Sequence, residues 1–264
     1  VERGPRADMP FFIELLARLH QAGLPVPYAV PMQSGEALGE LAEKPAILQP
    51  RLAGKHVSQP NAHHCAEIGS WLARLHLATR DNILERRSDR GLDWMLEEGP
   101  MLALELHDEQ LPLLRDSLQD VAELKAGILA LPRANLHADL FRDNALFDGN
   151  QLAGVIDFYN ACSGPMLYDL AITLNDWCSQ ADDSLDLPRA RALLGAYAAL
   201  RPFTRSEAEL WPAMLRIACL RFWLSRLIAA RRFQGRDVLV KDPGEFQRRL
   251  AQRQQVSLHL PFAL

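Results

Sequence analysis

The 264-residue sequence has little of what would staple or anchor a chain. Its four cysteines, Cys65, Cys162, Cys178 and Cys219, form no C-x-x-C pair and follow no regular spacing, which speaks against a disulfide framework and a zinc site alike. Free thiols in a reducing cytoplasm are the expectation. Long hydrophobic runs are scarce too. The most apolar stretch, residues 213–230, is broken by Arg216, Arg221 and Arg226, so no membrane span is expected. Nor does one sign of charge dominate: 29 Lys+Arg against 33 Asp+Glu give a formal net charge of −4, which excludes a globally basic nucleic-acid binder. Val1 opens the chain without an initiator Met, a charged n-region or an apolar h-region, so it reads as a piece of a longer protein with no signal peptide. What remains, at 48% hydrophobic residues, is an ordinary globular composition with ample core for one large domain or two modest ones.

Along the chain, Asp8 and Pro10 mark a helix entry, and Phe12, Leu15, Leu16 and Leu19 keep the helical period until Gly23, which predicts a helix over 9–22. Two short apolar runs, 26–31 and 46–48, are bracketed by prolines and read as strands joined by a polar loop over 33–43. From about Asn61 the pattern turns helical, interrupted only at 133–162.

That interruption carries the chemistry. It reads Asn135-Leu136-His137-Ala138-Asp139-Leu140-Phe141-Arg142-Asp143-Asn144, then two apolar runs joined by Asp148-Gly149-Asn150-Gln151 and ending in Asp157. Asp-Gly between apolar runs predicts a hairpin, and folding it about 148–151 returns Asp157 beside Asn144. One carboxylate and one amide oxygen at a single point suit a hard cation such as Mg2+, which keeps several waters and takes phosphate oxygens besides. Asp139, five residues before Asn144 on the same loop, can take the proton of an attacking hydroxyl. The spacing H-x-D-x-x-x-x-N with a following Asp is that of phosphoryl-transfer loops.

These residues, with Gly-Val-Ile-Asp-Phe-Tyr-Asn-Ala-Cys from 154 and Leu-Tyr-Asp-Leu-Ala-Ile-Thr-Leu-Asn-Asp-Trp-Cys from 167, resemble the aminoglycoside-phosphotransferase and choline-kinase superfamily, and within it the bacterial homoserine kinases. The resemblance implies an α+β, protein-kinase-like two-lobe fold with a truncated small N-terminal β lobe (1–52, lobe remnant and hinge) and a mainly helical C-terminal catalytic lobe (53–264). It implies ATP and Mg2+ as cofactors, Asp139 as catalytic base, and Asn144 and Asp157 as metal ligands. It places His137 and Asp169 as structural support, Asp169 by capping its helix or by bonding the catalytic loop's backbone. It sets the segment around Leu48, Gln49 and Arg51 where the chain crosses between lobes and its backbone meets adenine. His76, on one helical face with Leu72 and Leu75, reads as core.

Only eleven residues separate Asp157 from Asp169, too few for a long activation segment, so a small-molecule acceptor is expected rather than a peptide. Homoserine is a zwitterion, which calls for a cation toward its carboxylate and an acceptor toward its ammonium. Arg221 and Arg226, and Asp176 or Asn175, are the candidates by residue type. Residues 211–233 carry Arg216, Arg221, Arg226, Arg231 and Arg232 with no acid, which favours an anionic acceptor over a cationic aminoglycoside, and choline would want an aromatic cage. A kinase for another such acceptor, or a non-catalytic fragment, stays open at this stage. The departure from the family lies upstream: no G-x-G-x-x-G and no strand with a phosphate-contacting Lys precede the first helix. Glu14, ~200° round the helix from Phe12, reads as a surface residue rather than the partner of such a Lys. Little activity is expected of residues 1–264 alone.

Overall fold

The computed structural model describes residues 6–235 and 240–261. A 3₁₀ turn (Arg6–Asp8) leads into helix α1 (Met9–Gln21), whose Phe12, Leu15, Leu16 and Leu19 enter the core as the period requires. Asp8 stands at the N-cap position, but its carboxylate makes no cap bond and instead receives Nε and Nη2 of Arg86 at 3.1 and 2.9 Å. Glu14 is exposed and pairs with Arg18 one turn on. Gly23 ends the helix at φ 75°, a left-handed position that glycine takes without strain.

The next stretch corrects the sequence reading. Residues 26–31 form no strand, because Pro25, Pro27 and Pro31 offer no N–H to a ladder. A bond from the Val30 N–H to the Leu48 carbonyl (2.8 Å) ties this run to the residues expected to be its partner strand. One strand lies inside the expected polar loop and its partner just past it: β1 (Gly39–Leu41) pairs antiparallel with β2 (Lys44–Ala46), so that of the expected 46–48 strand only Ala46 is in a strand. Ala42 and Glu43 make the two-residue turn at φ 50° and 61°, a conformation usually signalled by Asn-Gly, which is why the hairpin left no mark in the sequence.

The helical expectation holds from Asn61, which caps α2 (Ala62–Thr79) by accepting the His64 N–H, while His64 Nδ1 accepts the Asn61 N–H. Helices α3 (Leu92–Ala103) and α4 (Leu111–Leu129) follow. After the strands come α5 (Met166–Trp177), α6 (Leu187–Leu200), α7 (Arg205–Arg232) and α8 (Pro243–Arg253). A Cβ at Gly69 would fall 2.2 Å from the Leu193 carbonyl oxygen, so the glycine of the Gly69-x-x-Leu72 pattern serves the close approach of α2 to α6. One apolar cluster runs from Leu15 on α1 through Trp71, Trp177, Trp211 and Trp223 to Phe246 on α8.

Two small antiparallel pairs sit against this mass. Strand β3 (Arg133–Leu136) pairs with β6 (Cys162–Pro165), and β4 (Ala145–Asp148) pairs with β5 (Gln151–Val155) around Gly149 at φ 57°. The second pair is the hairpin expected from Asp-Gly. Lys55 adds a rung to it through two 2.9 Å backbone bonds with Phe147. No described helix is long and apolar enough to cross a membrane.

Candidate active site

The loop between β3 and β4, residues 137–144, has almost every backbone group committed. Asp169, in the first turn of α5 and fully buried, accepts the His137 N–H through Oδ2 and the Ala138 N–H through Oδ1, both at 2.7 Å. Of its two expected uses it takes the second, bonding the loop's backbone. Trp177 Nε1 donates to the Leu140 carbonyl (3.0 Å), and the Arg142 N–H goes to Asp176 (2.8 Å). His137 donates Nε2–H to the Ile156 carbonyl (3.0 Å), bracing the loop against the strand that ends in Asp157. Ala138 is held at φ 60°, a costly conformation for a residue with a Cβ, while its carbonyl receives Nη1 of Arg221. Backbone fixed this thoroughly holds the half-buried Asp139 side chain at the wall of a cavity.

Behind the loop His76, Asp169 and Tyr197 form a buried chain. The Tyr197 hydroxyl donates to His76 Nδ1 (2.8 Å), which sets the tautomer and lets Nε2–H donate to Asp169 (3.2 Å). Burial holds the His76 pKa below its ordinary value, so the ring is neutral, as suits a core histidine. Asp169 stays ionised despite burial, because His76 and the loop's N–H groups stabilise its charge and pull its pKa below the ordinary carboxylate value.

The hairpin closes as expected: Ala145 faces Val155, and the Ile156 N–H donates to the Asn144 carbonyl at 2.9 Å, bringing Asp157 beside Asn144. Asp139, Asn144 and Asp157 line one cavity of about 430 Å³. Asn144 Nδ2 donates to the Asp139 carbonyl (2.8 Å), leaving the oxygen of the amide for a cation. Asp157, exposed and at φ 62°, has no hydrogen bond or ion pair among the described residues. Two hard oxygen donors fit an ion that keeps waters and takes phosphate oxygens; the described residues contain no cluster of three or more His, Cys, Asp or Glu that would make an all-protein cage. Burial raises the Asp139 pKa, opposed by the positive charge of Arg221, and Asn160 Nδ2 donates to its Oδ2 at 2.9 Å. A carboxylate so tuned is a better proton acceptor than a free one.

A second cavity, of about 540 Å³, shares Asp157 with the first and is lined by Gln49, Arg51 and Lys55. Gln49 Nε2 donates to the Pro27 carbonyl (3.1 Å), fixing this crossing of the chain. Leu48 does not line the cavity: its side chain is 68% exposed and its carbonyl is occupied by Val30.

The acceptor candidates fare unevenly. Asn175 is fully buried, its amide spent on the Leu215 carbonyl and on Arg253. Asp176 is bound to Arg142 and lies near Arg249. Neither lines the cavity: Asn175 is turned to α7 and α8, and the Asp176 carboxylate is spent on Arg142 of the loop itself. Arg221 sits behind the loop, and Arg226 lines the cavity already paired with Glu245. The acid-free run on α7 is likewise not free charge in space: Arg216 pairs with Asp120, and Arg231 with Glu105. Local sequence cannot show acids that arrive from other helices. The converse also holds, since Lys55, Arg90 and Ser225 line the two cavities and Asn160 bonds Asp139, although none of the four was singled out in the sequence.

Residues 1–203 match the family model described as the phosphotransferase enzyme family, and the chain belongs to that family. The amicoumacin kinase hAmiN, solved with AMP-PNP and Ca2+, superposes with a TM-score of 0.70 at 16% identity, over 98% of this chain and 80% of its own. A choline/ethanolamine kinase family protein from Mesorhizobium loti does so with a TM-score of 0.62 at 18% identity, over 92% of this chain and 77% of its own. The fold is therefore the kinase-like α+β one, small in its N-terminal strands and helical beyond. In sequence the chain is 69% identical, along its whole length, to a homoserine kinase of Pseudomonas aeruginosa, covering 84% of that protein. It is 43% identical over 254 residues to a homoserine kinase of Methylobacillus flagellatus, covering 94% of this chain and 79% of that protein.

Proposed function

We propose that this chain is the catalytic part of a cytoplasmic kinase that transfers the γ-phosphoryl group of ATP to the hydroxyl of L-homoserine, giving O-phospho-L-homoserine and ADP. The observation that carries the reading is the 69% identity to a homoserine kinase over all 264 residues. Asp139 accepts the hydroxyl proton as the acceptor oxygen bonds to the γ-phosphorus and the bond from that phosphorus to the β–γ bridging oxygen breaks. Asn144 and Asp157 are the residues that would hold Mg2+, which would offset the negative charge of the phosphate oxygens during transfer. Asn160 orients Asp139, while His137 and Asp169 keep the loop in place. Residues 1–52 contribute the chain crossing at the base, where Gln49 and Arg51 line the cavity and Leu48 does not, and 53–264 contribute the chemistry.

The test is a coupled ADP-release assay of the full-length protein with L-homoserine, L-serine, choline and kanamycin. Homoserine is expected to give the largest kcat/KM. Serine, one methylene shorter, should trail by roughly 10- to 200-fold. A clear preference for choline or kanamycin overturns the acceptor assignment.

A further inference from the structure

Three cations line the cavity around Asp139: Arg90, Arg226 and Lys241. Two are spoken for. Arg226 is bound to Glu245 and to the Asp242 carbonyl, and Lys241 to Asp143 at 2.7 Å. The Arg90 guanidinium has neither an ion pair nor a side-chain hydrogen bond among the described residues, although Asp139 and Arg221 both act on its charge. It is therefore an uncommitted bidentate donor in the cavity that the acceptor must enter.

The segment that carries it is firmly anchored. The Asn135 side chain accepts the Leu84 N–H (3.0 Å) and donates to the Leu84 carbonyl (2.7 Å), tying the α2–α3 connection to the strand that enters the catalytic loop. Arg86 bonds Asp8, Asp89 and the Ala161 carbonyl. The Arg90 N–H meets Ser88 Oγ at 3.2 Å, and α3 begins two residues later. Across the cavity, Ser225 on α7 has a buried hydroxyl with no hydrogen-bond partner. A helical serine ordinarily spends its hydroxyl on the carbonyl one turn back, so this one is available to a ligand.

Resting on the homoserine reading, we propose that Arg90 is the specificity residue that binds the acceptor's carboxylate as a bidentate pair, with the Ser225 hydroxyl as a second polar contact to the same end of the molecule. It replaces Arg221 and Arg226, which the sequence offered and the structure has already employed.

The experiment compares L-homoserine with 2-amino-1,4-butanediol, in which the carboxylate is a hydroxymethyl group, for the wild-type full-length enzyme and for Arg90→Met, Arg90→Lys and Ser225→Ala. Arg90→Met should raise the homoserine KM by about tenfold or more. It should leave the ATP KM within about twofold and the diol's kcat/KM nearly unchanged, so that the wild-type preference for homoserine over the diol collapses. Arg90→Lys should restore part of that preference, because charge is kept and the fork is lost. Ser225→Ala should erode it by a few-fold, about the worth of one hydrogen bond. An equal loss on both acceptors, or an ATP KM that rises in step, would overturn the proposal, the second by making Arg90 a phosphate contact. Wild-type enzyme that ignores homoserine altogether would sink the acceptor reading itself, a different failure visible before any variant is made.

Discussion

The loop from His137 to Asn144 and the segment from Leu24 to Pro60 both line the site, and they are held in opposite ways. The loop's backbone is bonded by α5, α7 and the hairpin, with His137, Ala138, Leu140 and Asn144 all at or below 9% exposure. The segment carries strands of three residues each and leaves Leu41 and Leu48 largely in solvent. It touches the hairpin through Pro25, Lys55 and His56. The difference matches what each must do. On the proposed roles, a base and metal ligands act only from fixed positions, which an over-determined loop supplies at the cost of a strained Ala138. On the same reading, a segment that presents backbone to a flat base needs a place more than a fixed geometry.

If the contrast is right, the largest effects fall on the loop's side. Asp157→Asn keeps a residue type that tolerates φ 62° but removes the one charged ligand of the proposed pair, and turnover should drop on the order of 10³-fold with the melting temperature unmoved. Asp139→Asn should cost between about 10²- and 10⁴-fold in kcat with ATP affinity nearly unchanged. Near-wild-type kcat in either variant, measured under saturating ATP, would remove that residue from the chemistry.

Next in size is Asp169→Ala, which touches no substrate. It strands the N–H groups of His137 and Ala138 and the Nε2–H of His76, all buried. A loss of about 3 kcal/mol or more of unfolding free energy is expected, read from urea midpoints. A cost under about 1 kcal/mol would mean that the loop is not held by this carboxylate.

What the sequence revealed follows the same division. Asp139, Asn144 and Asp157 were legible because loop spacing and one hairpin bring them together, and both are local patterns. Arg90 and Ser225 were not, since each meets Asp139's cavity through packing between segments far apart in the chain. Asn175 and Asp176 looked like acceptor contacts by residue type, yet their helix packs them against Arg253 and Arg142. In the weakly held segment the reading failed for a different reason. An apolar run between prolines imitates a strand, whereas the real hairpin turns at Ala42-Glu43, with no glycine or asparagine to announce it.

The buried chain behind the loop adds a milder, pH-dependent effect. His76 is packed among Asp169 and Tyr197, with Arg201 and Glu207 near enough to act on its charge, and its folded pKa is depressed, burial being the main cause. Unfolded, it titrates near 6.5, so below that pH the unfolded chain takes up a proton that the folded chain refuses. Stability is therefore complete above pH 6.5 and declines as the pH falls below it. Asp169, whose pKa is also depressed, acts in the same direction at still lower pH, below its ordinary 3.8. Urea midpoints at pH 8, 6.5 and 5.5 should fall in that order across the last interval, and His76→Gln should flatten the decline. An unchanged slope in the variant would assign the acid sensitivity elsewhere.

The smallest effect probes the weakly held side directly. Leu41 closes β1 with its side chain 74% exposed, and Leu48 follows β2 at 68%. Removing an apolar side chain costs free energy in proportion to the area it hides from water, and these two hide little. Leu41→Ser and Leu48→Ser should therefore each change stability by no more than about 0.5 kcal/mol, whereas truncating a fully buried leucine such as Leu72 should cost between about 2 and 5 kcal/mol. The comparison sharpens if the serine variants are also assayed for ATP KM, because a contact made through backbone survives a change of side chain. A destabilisation above about 1 kcal/mol at either position would show that this face is covered in the folded protein, and that the segment is held far more tightly than its bonds within residues 6–235 and 240–261 imply.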